Sequence, residues 1–329
     1  MDGLLIVDKP SGPTSHDVVA RIRRALRERR IGHTGTLDPA ATGVLALVLG
    51  KATRLAQFLN GSDKAYEAVV RLGFSTDTGD AQGRAIGQAA SGAMPDRAAI
   101  EAALDRFRGT FLQQPPAFSA KKIGGKRSHT LARARARAIR PALPAPPALP
   151  DRVRVTAHAI TIIAVDGDRV TLTVDCSAGF YVRSLAHDLG EQLRVGGHLV
   201  ALRRTRSGDF GLADAIDLET AEREPDLLAA RVIPLASMLP GLVSIVLTQE
   251  GVRKAMHGRA LGALDCVSGF GTLESGLVAP RDSQLPTPDS RPPTPDSRLY
   301  RLLDGAGSLV AIARSSSQRE VLHPSVVLM

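Results

Sequence analysis

The chain has 329 residues, 43% of them hydrophobic, which is enough for a buried core and about two domains. Lysine and arginine number 42 against 33 aspartates and glutamates, and the formal net charge of +9 favours a polyanionic partner. Arginines or prolines interrupt every apolar run before membrane-spanning length, and the start MDGLLIVDKPSG lacks the basic and small-residue regions of a secretory signal. Cys176 and Cys266 lie far apart, and the eight histidines fall into no zinc-ligand pattern. The expectation is a soluble, reduced, cytoplasmic protein without membrane or metal. Lacking tryptophan and holding three tyrosines, Tyr66, Tyr181 and Tyr300, it has no broad stacking platform for single strands.

Residues 3–8 read as an apolar strand leading into the turn Lys9-Pro10-Ser11-Gly12-Pro13. A helix over 15–30 follows, capped by Ser15, with Val18, Ile22 and Leu26 at four-residue spacing. Its other face carries Arg21, Arg23, Arg24, Arg27, Arg29 and Arg30, either a solvated surface or an RNA contact. The stretch GHTGTLDPAATGVL at 32–45 then sets one carboxylate, Asp38, in a glycine-flanked turn five residues after His33. An isolated Asp-Pro is ordinarily a helix cap with proline at the first helical position.

Residues 44–49 read as a buried segment, strand or helix, and 64–73 alternate as a strand with Tyr66, Ala68, Val70 and Leu72 on one face. The acidic loop 76–83 has the look of a calcium loop, but Gly79 occupies a ligand position and no glutamate closes it. A turn, or a loop beside the active site, is the better reading. An amphipathic helix spans 97–107.

From 114 to 140 the chain becomes basic and flexible, a thumb-like segment suited to gripping phosphates with salt-dependent affinity. PALPAPPALP at 141–150 reads as a linker. Strands follow at 152–164 and 169–176, then a helix from about 180 to 193 with Val182, Leu185, Ala186 and Leu189 on its apolar face. Arg183 falls in the first turn of that helix, where the helix dipole disfavours a cation. A facing carboxylate explains it; the alternative is a surface pair with Asp188 or Glu191.

A strand at 199–204 and a helical, connecting region over 213–239 complete a first domain at 1–238. The remainder, 241–329, shows short strands at 243–247, 299–303, 308–313 and 325–328, a small β-rich domain. Within it PTPDSR occurs at 286–291 and again at 293–298, which marks 274–298 as a disordered insertion.

Six blocks in one order resemble the B family of tRNA pseudouridine synthases, which makes pseudouridine 55 in the tRNA TΨC loop. They are LLIVDKPSGPTSHDVV at 4–19, GHTGTLDPAATGVL at 32–45 with ATRL at 52–55, and KAYEAVVRLGFSTDTGDAQG at 64–83. PPAFSAKKIGGKR at 115–127, CSAGFYVRSLAHDLGEQL at 176–193 and HLVALRRTRSGDF at 198–210 complete the set. Residues 241–329 resemble the family's short C-terminal domain with far less specific motifs. The resemblance implies an α+β pseudouridine synthase fold, with a mixed, largely antiparallel central sheet flanked by helices and a small β-rich domain appended.

It also implies a cofactor-free isomerisation of uridine on a flipped-out nucleotide, in a monomer whose partner is the T-arm of tRNA. Asp38 would attack C1′ or C6, or act as base at C2′, and Arg183 would keep it ionised inside a closed pocket. Tyr66 would stack on the uracil, Tyr181 would lie beside it, Leu202 would pack on the base, and His33 would fill the space the nucleotide vacates. Lys9 and Pro10 would buttress the stacking tyrosine, and Lys121, Lys122, Lys126 and Arg127 would contact the RNA backbone. His129 and Thr130 depart from the tyrosine and the acidic residue the family often has there. Two alternatives stand beside this. A non-catalytic tRNA-binding or tRNA-folding protein needs only the charge and the basic segment. A glycosidase needs two cooperating acids, and only one sits in a strong motif.

Overall fold

A computed structural model describes residues 1–119, 122–123, 126–127, 149–268, 299–316 and 321–328. The first half is built from β1 (Gly3–Lys9), α1 (Ser15–Leu26), β2 (Ile31–Thr34), β3 (Thr42–Leu49) and β4 (Lys64–Leu72). Then come α2 (Arg97–Leu104), β5 (Gly109–Gln113), β6 (Val153–Asp166), β7 (Arg169–Cys176), α3 (Val182–Gln192) and β8 (Gly197–Ser207).

These strands share one 11-stranded sheet in the order Ile216–Asp217, β1, β3, β8, β4, β7, β6, β5. Within it β2 pairs with β3, Phe210–Gly211 with β8 and Ile233–Pro234 with β1. Two pairings are parallel, β1 with Ile216–Asp217 and β8 with β3; the others are antiparallel. The fold is therefore α+β, with the mixed, largely antiparallel sheet that the motif blocks imply.

The ambiguous run at 44–49 is a strand, and burial on both faces explains its unbroken hydrophobicity. Leu5, Val7, Leu45 and Leu47 point to one side and pack with Val18, Val19 and Ile22 of α1. Leu4, Ile6, Val44, Ala46 and Val48 point to the other and pack with Leu309, Ile312 and Leu328. Leu309 and Ile312 belong to a second sheet, and Leu328 directly follows it; the sheet is made of β9 (Val243–Leu247), β10 (Cys266–Ser268), β11 (Leu299–Leu303), β12 (Leu309–Ser316) and β13 (Val321–Val327), with the helix Gln249–Met256 against it. Its order is β10, β9, β11, β12, β13.

Several boundaries differ from the sequence reading. The cap of α1 is Thr14, whose side chain and that of Asp17 form a reciprocal capping box, so Ser15 is free for other work. The helix stops at Leu26 because Arg27 adopts the left-handed conformation at φ 51°. Two of the six arginines expected on its outer face serve the fold: Arg23 donates to Ile31 O at 2.6 Å and Arg21 pairs with Glu222 at 3.6 Å. The helix expected at 97–107 ends at Leu104 and tightens into a single 3₁₀ turn over Asp105–Phe107. β8 extends at both ends of 199–204, whereas β2, β5 and Gln249–Met256 are additions.

Most of the basic segment, including Lys121, His129 and Thr130, lies outside the described residues, as do 141–148 and the repeat at 286–298. Lys122–Ile123 and Lys126–Arg127 form the two rungs of an antiparallel ladder. Among the described residues no helix is long and apolar enough to cross a membrane. No group of three or more His, Cys, Asp or Glu side chains among them could hold a metal ion.

Candidate active site

The turn carrying Asp38 sits between β2 and β3, and the chain between β1 and α1 clasps it. Gly12 N donates to Pro39 O at 2.8 Å. The fully buried Lys9 ammonium donates to the carbonyls of Ala41 at 2.7 Å, Pro10 at 2.8 Å and Pro39 at 3.1 Å. Lys9 thus braces the Asp38 turn. Pro10 is exposed and contributes its carbonyl as one of the acceptors. Burial pulls the Lys9 pKa down to about 8; the Asp38 charge opposes this and the Arg204 charge adds to it.

Arg183, in the first turn of α3, meets Asp38 with Nε 2.9 Å from Oδ2 and Nη2 3.4 Å from Oδ1. It also donates through Nη1 to Thr78 O at 3.0 Å and through Nη2 to Phe118 O at 2.7 Å, with Asp80 Oδ2 4.0 Å away. It forms no ion pair with Asp188 or Glu191 among the described residues, so the surface alternative falls. Thr78 and Asp80 belong to the acidic loop, which lies beside the site as one of its two readings has it. The pair is asymmetric: the Arg183 side chain is 7% exposed and that of Asp38 43%. Among the described residues the carboxylate is half open to solvent, held from below by a buried cation.

Tyr66 on β4 and Leu202 on β8 are partly buried, and each packs both against the α1 cluster and against a further cluster with Ala68, Val70 and Leu185. Burial raises the pKa of the Tyr66 phenol, against the opposing pull of Arg204. Tyr181 caps α3, and its phenol is likewise raised by burial, opposed by a hydrogen bond with Ser119. His33 on β2 meets His16 edge-on, the rings 5.1 Å apart.

Three polar side chains near these groups have no part in the site as read from the sequence. Gln113, 1% exposed at the end of β5, accepts from Tyr181 N at 2.8 Å and donates to Tyr181 O at 3.0 Å. Ser15, 1% exposed, accepts from Leu37 N at 2.9 Å and donates to Leu37 O at 3.1 Å. Arg204, 1% exposed, donates to Val44 O at 2.6 Å and Gly35 O at 3.0 Å.

Two family models cover this part of the chain. The N-terminal domain of the TruB family of pseudouridylate synthases matches residues 23–182. The C-terminal domain of tRNA pseudouridylate synthase B matches 183–239, which includes α3 and β8 and stops short of the second sheet. Among curated relatives, tRNA pseudouridine synthase B of Solibacter usitatus is 43% identical over 262 residues, covering 79% of this chain and 85% of that one. The protein of the same name from an Azoarcus species is 39% identical over 295 residues, covering 85% and 94%. A chain of the archaeal box H/ACA sRNP Nop10–Cbf5 complex superposes with a TM-score of 0.68 at 25% identity, over 99% of this chain and 86% of that one. The fold is that of the pseudouridylate synthase class. Within that class, the chain belongs to the TruB family.

Proposed function

We propose that this protein isomerises uridine 55 in the TΨC loop of tRNA to pseudouridine, with Asp38 reacting on a flipped-out nucleotide. The relatives' common name, tRNA pseudouridine synthase B, supports tRNA as the substrate. The single observation that carries the chemistry is the buried Arg183 guanidinium 2.9 Å from an Asp38 carboxylate that stays half-exposed. A carboxylate held this way is oriented by charge-assisted hydrogen bonds yet open to a sugar ring.

In this reading Asp38 attacks C1′ or C6, or removes a proton at C2′; the N1–C1′ bond breaks, the uracil turns, and C5 joins C1′. The isomerisation has no net redox change, so it calls for no cofactor. The Tyr66 ring stacks on the uracil and Leu202 packs on it, an interaction worth about 1–3 kcal/mol per base, enough to retain a detached ring. Tyr181 lies beside the base, His33 fills the gap in the T-loop, and Lys121, Lys122, Lys126 and Arg127 hold the RNA backbone.

The test is mass mapping of pseudouridine in unmodified T-arm RNA after incubation with wild type and with Asp38→Asn. Wild type converts the target uridine and the variant does not; conversion by the variant at the wild-type rate ends the proposal. A tRNA-folding role is separate, and refolding of tRNA by the inactive Asp38→Asn protein would reveal it.

A further inference from the structure

The clasp around the Asp38 turn has one side chain that engages the residue immediately before the carboxylate. Ser15 Oγ takes a hydrogen bond from Leu37 N at 2.9 Å and returns one to Leu37 O at 3.1 Å. The N–H belongs to the peptide plane entering Leu37, and the C=O belongs to the plane shared with Asp38. One hydroxyl, acting as both donor and acceptor, therefore limits rotation about both planes. The Leu37 side chain, 3% exposed, is already anchored in the apolar cluster with Val18, Val19 and Ile22. What apolar packing leaves loose is the orientation of the peptide, and Ser15 addresses that.

Capping does not account for the serine, because Thr14 and Asp17 cap α1. Nor does solvent exposure, since Ser15 is 1% exposed. On the far side of the turn, Lys9 and the Gly12 amide hold the carbonyls of Pro39 and Ala41. Asp38 thus hangs between two tethered residues, with Arg183 holding its carboxylate from the opposite wall.

We infer that Ser15 is a positioning residue for the reaction. It sets the direction in which the Asp38 side chain leaves the backbone, so that one carboxylate meets Arg183 and still faces the nucleotide. This rests on the assignment of Asp38 to the chemistry. A displacement of about 1 Å at a reacting group lowers a rate by about 100-fold, so loss of the tether should slow the reaction while leaving RNA binding intact.

The test is single-turnover kinetics with enzyme in excess over T-arm RNA, extrapolated to saturating enzyme, where the rate does not depend on the fraction of protein that is folded. Ser15→Ala, and the near-isosteric but weakly hydrogen-bonding Ser15→Cys, should react about 10- to 100-fold more slowly. The enzyme concentration giving half-saturation should stay at the wild-type value. Ser15→Thr, which keeps the hydroxyl, should recover most of the rate. The inference is overturned if Ala and Cys variants react at the wild-type rate, if they lose RNA affinity instead of rate, or if Ser15→Thr is as slow as Ser15→Ala. Asp38→Asn run alongside separates the two failures. Should Asp38→Asn react normally, the functional assignment itself falls; should it be inactive while the Ser15 variants are not slowed, only the inference about Ser15 falls.

Discussion

Arg204 stands directly across from Tyr66 in the pairing of β8 with β4, and its buried guanidinium is spent on two carbonyls instead of a carboxylate. A cation beside the phenol would by itself ease its ionisation, yet burial is the larger influence and raises the Tyr66 pKa. Tyr181 is raised for the same first reason. Both phenols should therefore stay protonated at pH 10, where a free tyrosine is half ionised. Subtracting the absorbance titrations of Tyr66→Phe and Tyr181→Phe from that of wild type isolates each phenolate. A component titrating at or below pH 10 contradicts the burial argument.

Arg183 serves Asp38, Thr78 O and Phe118 O with one planar fork. A lysine keeps the charge but, as a compact point donor, cannot span these directions. Arg183→Lys should lower kcat by about 100-fold or more, as loss of a positioned charge-assisted contact does in other enzymes, with T-arm affinity little changed. Parallel turnover and filter-binding measurements decide this; an equal loss in both would place Arg183 in RNA binding.

The Gln113 amide mimics a strand, pairing with both backbone groups of Tyr181 two residues before Arg183. Gln113→Ala leaves the half-buried Tyr181 N–H without its partner and leaves the Tyr181 carbonyl only the Leu185 amide at 3.1 Å, which costs about 1–3 kcal/mol of stability. The same change loosens the entry to α3, so turnover should fall about tenfold or more beyond the lost stability. Urea unfolding and single-turnover rates on one preparation separate the two effects.

Gly43 is the second residue of β3, just after the Asp38 turn, at φ +100°, and a Cβ there would overlap the backbone N and O of Arg204. Neither obstacle can swing aside, because both belong to the neighbouring strand. Gly43→Ala should destabilise the protein by about 3 kcal/mol or more, combining backbone strain with overpacking. A denaturation midpoint equal to that of wild type would show that the strands can separate locally.

Lys64 is 5% exposed and donates to the carbonyls of Asn60 and Ser62, and burial lowers its pKa from 10.5 to about 8. Below pH 8 folded and unfolded chains both carry the charge, and the folded state bears the full desolvation penalty. Between about 8 and 10.5 only the unfolded chain still binds the proton, so this group makes stability rise with pH. Relative to Lys64→Met, wild type should gain about 3 kcal/mol across that window. Unfolding midpoints of the two proteins at several pH values test the sign; a gap that narrows or widens the other way refutes it.

Alternation at 64–72 and four-residue spacing in α1 were enough to place β4 and the first helix, because each is amphipathic toward a single partner. The motif blocks were enough to pair Asp38 with Arg183, since residue types in a fixed order carry chemistry that periodicity cannot. The unbroken run at 44–49 stayed ambiguous: its two faces meet different cores, and that is known only once both sheets exist. Tertiary structure alone decided that Lys9 braces the Asp38 turn, that the carboxylate is half-exposed, and that Ser15 and Gln113 hold Leu37 and Tyr181. Those bonds close over 22 and 68 residues of chain, whereas Asp38 and Arg183 are 145 apart. A single hydrogen bond between distant residues leaves no pattern in its local sequence. Its partners are set by where packing of the apolar faces brings the backbone.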